Sequence, residues 1–492
     1  MSSLIIVENP ANWPFTVPRA EVAAARAYLT DPKYAEPRRF KVFNLCRSYG
    51  YQSVGYYVSL LAEARGHKPR PGVITLQDMK SPAMLRMFSE EMEELVQKSL
   101  HPIKSNEFVL SIYFGRNLAK RYDRLSTQLS NLFEAPLLRA NFARNRKGTW
   151  TLSTIRPIPA SEIPKSHRPE VVRFAQEYFR GRGGTRRPKA ISRYDIALLW
   201  NPEDPEPPSN EKALKGFEKA AEELGIRVWR ITKDDFSRLG EFDGLFIRET
   251  TSVNHHTYRF ARRAARDGLV VIDDPESIVR CSNKVFLAEL FDRHNVPAPK
   301  TTIVHGDNVE QVLGHLGLPC VLKRPDSSFS TGVVKVETEE ELRQAATDFL
   351  ETSELFIAQE FMRTDFDWRI GLFEGEALYA CRYHMAHRHW QIFNWKEKGE
   401  NERYGNVDTV PLDAAPRHIV KTAVKAARLI GNGLYGVDLK EIDGKSYVIE
   451  VNDNPSIDGG FEDGVLGMDL YRRIMGGFLR RIEARTRGDL RA

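Results

Sequence analysis

The sequence predicts an α/β (α+β) protein, on three observations. From Ile196 onward, short apolar runs alternate with amphipathic stretches, the strand–helix–strand pattern of a parallel sheet. Further along, apolar runs meet across the two-residue turns Glu374-Gly375 and Asp443-Gly444, which mark antiparallel hairpins. The opening segment mixes both kinds of element. A chain of 492 residues has room for about three domains. The expected division is 1–190, a basic N-terminal domain; 191–281, a small parallel α/β domain; and 282–485, two lobes closing on a site.

In the first segment, FKVFNLC (Phe40–Cys46) and EFVLSIYF (Glu107–Phe114) read as strands. Ser53–Gly66 is an amphipathic helix with a glycine stop, and Pro82–Leu100 is another. The glycine- and arginine-rich stretch Arg180–Lys189 reads as a linker. The second segment opens with a strand at Ile196–Trp200, then a helix from about Asn210 to Leu224. GIRVWRIT and FDGLFIRE are strands, YRFARRAARDG is a helix, and LVVIDDP is a further strand. The third segment opens with a capped helix, SNKVFLAELFDR, and continues as strand, loop and strand in PCVLKRPDSSFSTGVVKV. A helix at Glu339–Leu350 precedes the strand LFIAQEFM and the hairpin WRIGLFEGEALYACRY. The helix PRHIVKTAVKAARLIG leads into a last strand pair, LYGVDLKEI and YVIEVN.

The net charge of +6 hides an asymmetry. Residues 1–190 carry about 31 Lys and Arg against 16 Asp and Glu, near +15, and the remainder is near −9. The excess gathers in Arg139–Lys189 and suits an anionic partner or the acidic part of the chain itself. Aromatic residues are not interleaved through these basic runs, which argues against nucleic acid. No run of about 18 apolar residues and no leader-like start is seen, so no membrane association and a cytoplasmic location are expected. Cys46, Cys281, Cys320 and Cys381 are scattered, which fits a reducing compartment, buried thiols and no structural zinc.

The chemistry concentrates near the C-terminus. Alternation puts Glu450 and Asn452 on one face of their strand, and pairing with LYGVDLKEI lets Asp438 reach the same face. Two carboxylates and an amide are oxygen ligands for a hard cation such as magnesium, and too charged to bury without one. Upstream, Lys323 stands before the flap Pro325–Gly332, whose hydroxyls, Ser330 among them, and Gly332 suit a phosphate-wrapping loop. The flap is not a Walker loop. HMAHRHW (His384–Trp390) spaces its histidines so that no one face carries all three. It reads as a basic substrate loop in which Arg388 clamps a carboxylate. His255 and His256, after Arg248, fall near the second domain boundary, where ordinary polar surface is an equal reading. No Ser/His/Asp or Cys/His arrangement stands out.

Taken together, SNK (Ser282–Lys284), VLKRPDSSFSTGVVKV, IAQEFM followed by DWR (Asp367–Arg369), YGVDL and VIEVNDNPSIDGG resemble the ATP-grasp ligases, most closely the RimK-like branch. NLCRSYGYQSVGYYVSLLAEARGH resembles the N-terminal domain that accompanies some RimK-like proteins. The resemblance implies an ATP-grasp fold behind a small parallel α/β (pre-ATP-grasp) domain. It implies an ADP-forming carboxylate–amine ligase acting through an acyl phosphate, with glutamate the leading acid, ATP and two Mg2+ ions as cofactors, and Mn2+ as an alternative metal. Lys284 and Lys323 would contact phosphates. Gln359, Glu360, Phe361 and Met362 would read adenine, Asp367 the ribose, with Arg369 in the same nucleotide site. Asp438, Glu450 and Asn452 would hold the metal. Arg382, with Lys323, would face the reacting carboxylate. Arg248, Arg388, Asn394 and Asn454 would bind substrate, an amino acid or short peptide, and the family suggests a homo-oligomer, dimer or tetramer. Gly436 stands where D-alanine ligases carry an arginine, which favours the RimK-like branch. The family's NxSPG becomes Asn452-Asp453-Asn454-Pro455-Ser456, so Asp453 and Asn454 are candidates for amine recognition. The alternative reading is an ATP-binding regulator or RNA- or ribosome-associated module without ligation.

Overall fold

In the computed structural model the described residues are 2–13, 20–34, 40–81, 85, 92–145, 147–180, 192–204, 206–326, 332–392 and 405–487. The chain forms two compact units, Met1–Arg193 with Asp234–Glu241, and Tyr194–Lys233 with Phe242–Ala492.

The first unit holds a four-stranded parallel sheet and a three-stranded antiparallel one. In the parallel sheet Ser2–Val7 lies between Ala20–Ala24 and Phe40–Asn44, and Lys68–Arg70 completes the edge. The crossover helix Val54–Ala64 starts where Ser53 Oγ accepts the Tyr56 amide, an N-cap that satisfies an otherwise orphaned donor. Glu107–Tyr113, Leu137–Arg144 and Trp150–Pro157 form the antiparallel sheet. Of the helix expected over Pro82–Leu100, Glu93–Leu100 is observed, and most of the rest lies outside the described residues. Glu241, from the returning segment, lies 3.3 Å from Lys41, 3.7 Å from Arg70 and 3.6 Å from Arg238.

The second unit contains three sheets. The parallel one runs in the order Val270–Ile272, Gly244–Ile247, Tyr194–Leu199, Ile226–Ile231. Helix Glu211–Glu223, capped by Asn210, links Tyr194–Leu199 to Ile226–Ile231. Helix His256–Arg266 links Gly244–Ile247 to Val270–Ile272. The two central strands therefore send their loops in opposite directions and open a crevice at their carboxyl ends.

The second sheet is antiparallel, Thr301–Val304, Phe356–Glu360, Cys320–Lys323, Val333–Val336. It is covered by helix Glu339–Leu350, whose start is fixed by a reciprocal Thr338–Glu341 capping box. The third orders Val407–Val410, Glu376–His384, Phe366–Phe373, Leu434–Ile442, Lys445–Asn452. Both expected hairpins turn where proposed. Glu374 and Gly375 have φ of 55° and 76°, Asp443 and Gly444 51° and 71°, the left-handed pair that a two-residue turn requires. Helix Arg417–Ile430 buries Ile419, Ala423, Ala427 and Ile430 against this sheet. The long helix Met468–Arg487, for which the sequence reading had no expectation, packs Tyr471 and Phe478 onto Phe217 and Phe246.

Burial alone would push the Glu241 carboxyl up, but Lys41, Arg70 and Arg238 outweigh it and hold it at about 2. A depressed carboxyl stabilises the fold above its unfolded value and loses that contribution as pH falls towards 2. Glu241→Gln should therefore cost about 1–3 kcal/mol at pH 7. The gap from wild type, followed by thermal unfolding, should shrink steadily below about pH 4.5. A gap independent of pH would show that the ionised carboxylate is not what these cations hold.

Candidate active site

The strands Leu434–Ile442 and Lys445–Asn452 place Asp438 opposite Glu450 and Gly436 opposite Asn452. Just beyond, the register shifts, so that Leu439 pairs with Val448 and Ile449 is the extra residue. Such a bulge bends the strand and re-aims its neighbours. The result gathers Asp438, Glu450 and Asn452 on one face, with Asn452 Nδ2 donating to Asp438 Oδ2 at 3.1 Å and to the Gly436 carbonyl at 3.3 Å. Two carboxylates beside an amide oxygen are a donor set that fits a hard divalent cation.

The carboxylates are matched by cations from other elements. Arg369, directly across from Asp438 on the next strand, grips it bidentately at 2.6 and 2.7 Å. Lys284, first residue of helix Lys284–Arg293, lies 3.0 Å from Glu450 Oε1. Burial pushes Asp438 above its ordinary value and Arg369 opposes that, while Asp438 in turn lifts Arg369 well above the usual guanidinium value. Burial would raise Glu450 too, but Lys284 and Lys323 outweigh it and the net shift is downward. Lys323 is pushed down to about 8 by burial, against the pull of Glu450.

Two cavities meet at these acids. The smaller, about 130 Å³, is lined by Lys284, Lys323, Gln359, Glu360, Phe361, Met362 and Asp367, and by Trp390, Lys440 and Glu450. Lys323 Nζ donates to Gln359 Oε1 at 2.7 Å, and Gln359 Nε2 donates to Thr301 Oγ1 at 3.0 Å. Phe361 and Trp390 meet edge to face at 5.8 Å, giving the chamber an aromatic wall. Asp367 pairs with Lys440 at 2.6 Å and accepts from Thr364 at 3.0 Å. The larger cavity, about 210 Å³, is lined by Arg369, Tyr383, Asn452–Ser456 and the loop residues Thr250, Thr251 and Ser252. Asp438, Glu450 and Ile392 line both.

Several expected residues stand elsewhere. Arg382 lines neither cavity. It is paired across the sheet with Trp368, whose ring is in the core, and so lies on the face opposite Arg369. There it stacks over Phe366 at 5.6 Å, and among the described residues it pairs with Asp408, at 4.0 Å. The arginine on the Asp438 face is Arg369, which was expected with the nucleotide residues but lines the larger cavity and not the smaller.

Arg248 also lines neither cavity. Buried, it donates to Asn454 Oδ1 at 2.7 Å, to the Pro455 carbonyl at 2.8 Å, to Ser209 Oγ at 3.0 Å and to the Pro208 carbonyl. It is a strut that positions the loop carrying Asn454, which itself lines the larger cavity. Arg388 is exposed, in a left-handed turn (φ 53°), and lines neither cavity. Gly332 (φ 67°) closes the flap, its carbonyl accepting the Arg324 amide. Ser330 and Asn394 lie outside the described residues. Lys440 was not anticipated, although it follows Asp438 by two on the same strand. Tyr383 was missed as well.

Comparison with known proteins places two families on this chain. Residues 25–173 match the RimK-like ATP-grasp N-terminal domain and residues 281–476 the RimK-like ATP-grasp domain. A probable alpha-L-glutamate ligase of Thioalkalivibrio sulfidiphilus is 26% identical over 238 residues, 48% of this chain and 75% of that protein. One of Alkalilimnicola ehrlichii is 27% identical over 224 residues, 45% and 71%. Among solved structures, a RimK domain ATP-grasp protein of Sphaerobacter thermophilus has a TM-score of 0.44 at 15% identity, covering 58% of this chain and 99% of its own.

The geometry separates the two arginines by experiment. Arg369→Met leaves Asp438 buried without its partner and should cost about 3–5 kcal/mol in urea unfolding. Arg382→Met removes an exposed contact and should cost less than about 1 kcal/mol. Equal losses would contradict the assignment of Arg369 to the acidic rung.

Proposed function

Because the chain belongs to the RimK-like ATP-grasp family, an ATP-dependent ligase family that forms C–N bonds, we propose that it joins the carboxylate of an amino acid or short peptide to an amine, with glutamate the acid added. The meeting of two cavities at Asp438 and Glu450 carries this reading. The smaller is proposed to take ATP, with Phe361, Met362 and Trp390 around adenine, Gln359 and Glu360 beside it, Asp367 at the ribose, and Lys284 and Lys323 on the phosphates. Ser330 and Gly332 would belong to the flap over them. The larger is proposed to take the acid and the amine, with Arg369 and Asn454 facing them. Arg382 and Arg388, which line neither cavity, are not needed for it, and Asn394 is kept as a residue of the substrate loop.

A carboxylate is a poor electrophile. Its oxygen attacks the γ-phosphorus, ADP leaves, and the acyl phosphate formed is opened by the amine nitrogen, releasing phosphate and a proton. The main barrier is the crowding of negative charge, which positioned cations relieve. Lys284, Lys323 and Arg369 are placed for that work, and Arg248 keeps Asn454 and Pro455 in register. Bound at Asp438, Glu450 and Asn452, Mg2+, proposed as two ions with Mn2+ able to replace it, would screen the phosphate oxygens. Lys323, held at about 8, is a compact charge whose desolvation is relieved when phosphate arrives.

No helix among the described residues is long and apolar enough to cross a membrane; a cytoplasmic location and a homo-oligomer, dimer or tetramer, complete the proposal. Residues 1–190, 191–281 and 282–485 are proposed as its domains, the last two within one compact unit and Asp234–Glu241 packed with the first; the first would gather an anionic substrate through its excess of basic residues.

Two measurements test this reading. ADP release should require an acid and an amine together, and glutamate should lead a panel of amino acids and dipeptides, with mass spectrometry showing an added residue. Asp438→Asn and Glu450→Gln should each lower it by at least about 100-fold with the fold retained. Turnover that survives both would remove the acids from the reaction. Lys323→Ala should weaken ATP binding by about 10-fold or more in calorimetry. Unchanged affinity would move the phosphates elsewhere.

A further inference from the structure

The loop from Arg248 to His255 leaves the carboxyl end of strand Gly244–Ile247 and enters helix His256–Arg266. Its two ends come back together. A carboxylate oxygen of Glu249 and one ring nitrogen each from His255 and His256 all lie within 4.8 Å of one another. The His255 and His256 rings are 3.8 Å apart between centroids. Sequence spacing offered ordinary polar surface as an equal reading for these histidines; both are instead partly buried beside a glutamate that is only 3% exposed.

The polar atoms of the cluster are not accounted for by hydrogen bonds. Glu249 Oε1 is 2.7 Å from His256 Nε2, yet the pair lacks the alignment of an N–H···O bond, and His256 Nε2 has no other partner. Among the described residues Glu249 Oε2 is buried with no hydrogen-bond partner. A buried carboxylate oxygen left unpaired is costly, and such an atom calls for an ion or a water. His255 Nδ1 lies 3.1 Å from Thr257 Oγ1, which leaves Nε2 as the ring nitrogen for a ligand. A hydrogen bond on the far nitrogen is the usual device for fixing the tautomer of a metal-binding imidazole.

We propose that Glu249, His255 and His256 form a binding site for a borderline divalent transition cation, Zn2+ foremost, that ties together the two ends of this loop. Two imidazoles and a carboxylate suit Zn2+ and its neighbours, whereas Mg2+ prefers an all-oxygen shell. The donor set thus differs in kind from Asp438, Glu450 and Asn452. Between its two ends the loop presents Thr250, Thr251 and Ser252 to the larger cavity, and the Glu249 carbonyl accepts from Asn454 Nδ2 at 2.7 Å. An ion there fixes the wall of the chamber from behind without entering it. The inference stands on this cluster alone and does not require the ligase reading.

The test uses untagged full-length protein, stripped with EDTA, loaded with ZnCl2, desalted and assayed by elemental mass spectrometry, with Zn2+ affinity from a competing chelator. Wild type and Asp438→Asn should each retain one Zn2+ per chain. His255→Ala and His256→Ala, checked for folding by circular dichroism, should bind it at least about 10-fold more weakly. Thermal unfolding of wild type should rise with Zn2+ and that of the histidine variants should not. Should His256→Ala fail to fold, His255→Ala still decides the matter, because the His255 side chain does not cap the helix. Loss of stoichiometric Zn2+ on desalting, or equal affinity in folded His255→Ala and wild type, would overturn the proposal.

Discussion

Asp438, buried, and Glu450, half-buried, face each other across one rung of an antiparallel strand pair, and everything around them can be understood as managing that charge. Like charges so placed would take up protons or force the strands apart. The neighbouring strand answers with Arg369 and a helix start answers with Lys284. Lys323 enters from a strand of another sheet, and Lys440 follows Asp438 by two on its own strand. The two cavities diverge from this rung, so whatever binds in one meets whatever binds in the other across the same pair of acids. An arrangement of this kind serves group transfer, because the charge that develops between two substrates is stabilised by groups fixed before either arrives.

The parallel sheet supplies the rest of the larger chamber. Its two central strands pair in parallel and send their loops in opposite directions, and the loops leaving their carboxyl ends contribute Pro208 and Thr250–Ser252. Arg248 ties these loops to Pro455 and Asn454, so the strand end bearing the acids and the crevice of the parallel sheet are held as one wall. Its burial pulls its guanidinium down to about 10, still charged at neutral pH and therefore still able to donate to every carbonyl it touches.

Much of this was legible in the sequence where a local rule decides. Turn chemistry located both hairpins, caps located helix starts, and alternation along a single strand put Glu450 and Asn452 together. What failed were questions settled between strands. Arg369 and Arg382 both alternate with apolar residues, and only cross-strand pairing, Arg369 with Asp438 and Arg382 with Trp368, tells which faces the acids. Arg248 was expected to bind substrate because its actual partners, Pro208, Asn454 and Pro455, are distant in sequence. The helix Met468–Arg487 has apolar residues at Leu470, Ile474, Phe478 and Ile482, a helical spacing. Gly476 and Gly477, poor helix formers, obscured it. Gly477 is required there: an added Cβ would lie 2.2 Å from the Phe373 ring.

The account rests on the acids at this rung joining a nucleotide chamber to a substrate chamber. A crystal structure of the chain with Mn2+ and a non-hydrolysable ATP analogue tests that most directly, since manganese is located by anomalous scattering. The account predicts Mn2+ density between Asp438, Glu450 and Asn452, the triphosphate reaching them past Lys323, and adenine between Phe361 and Trp390. Manganese and nucleotide bound together at a different place would contradict it.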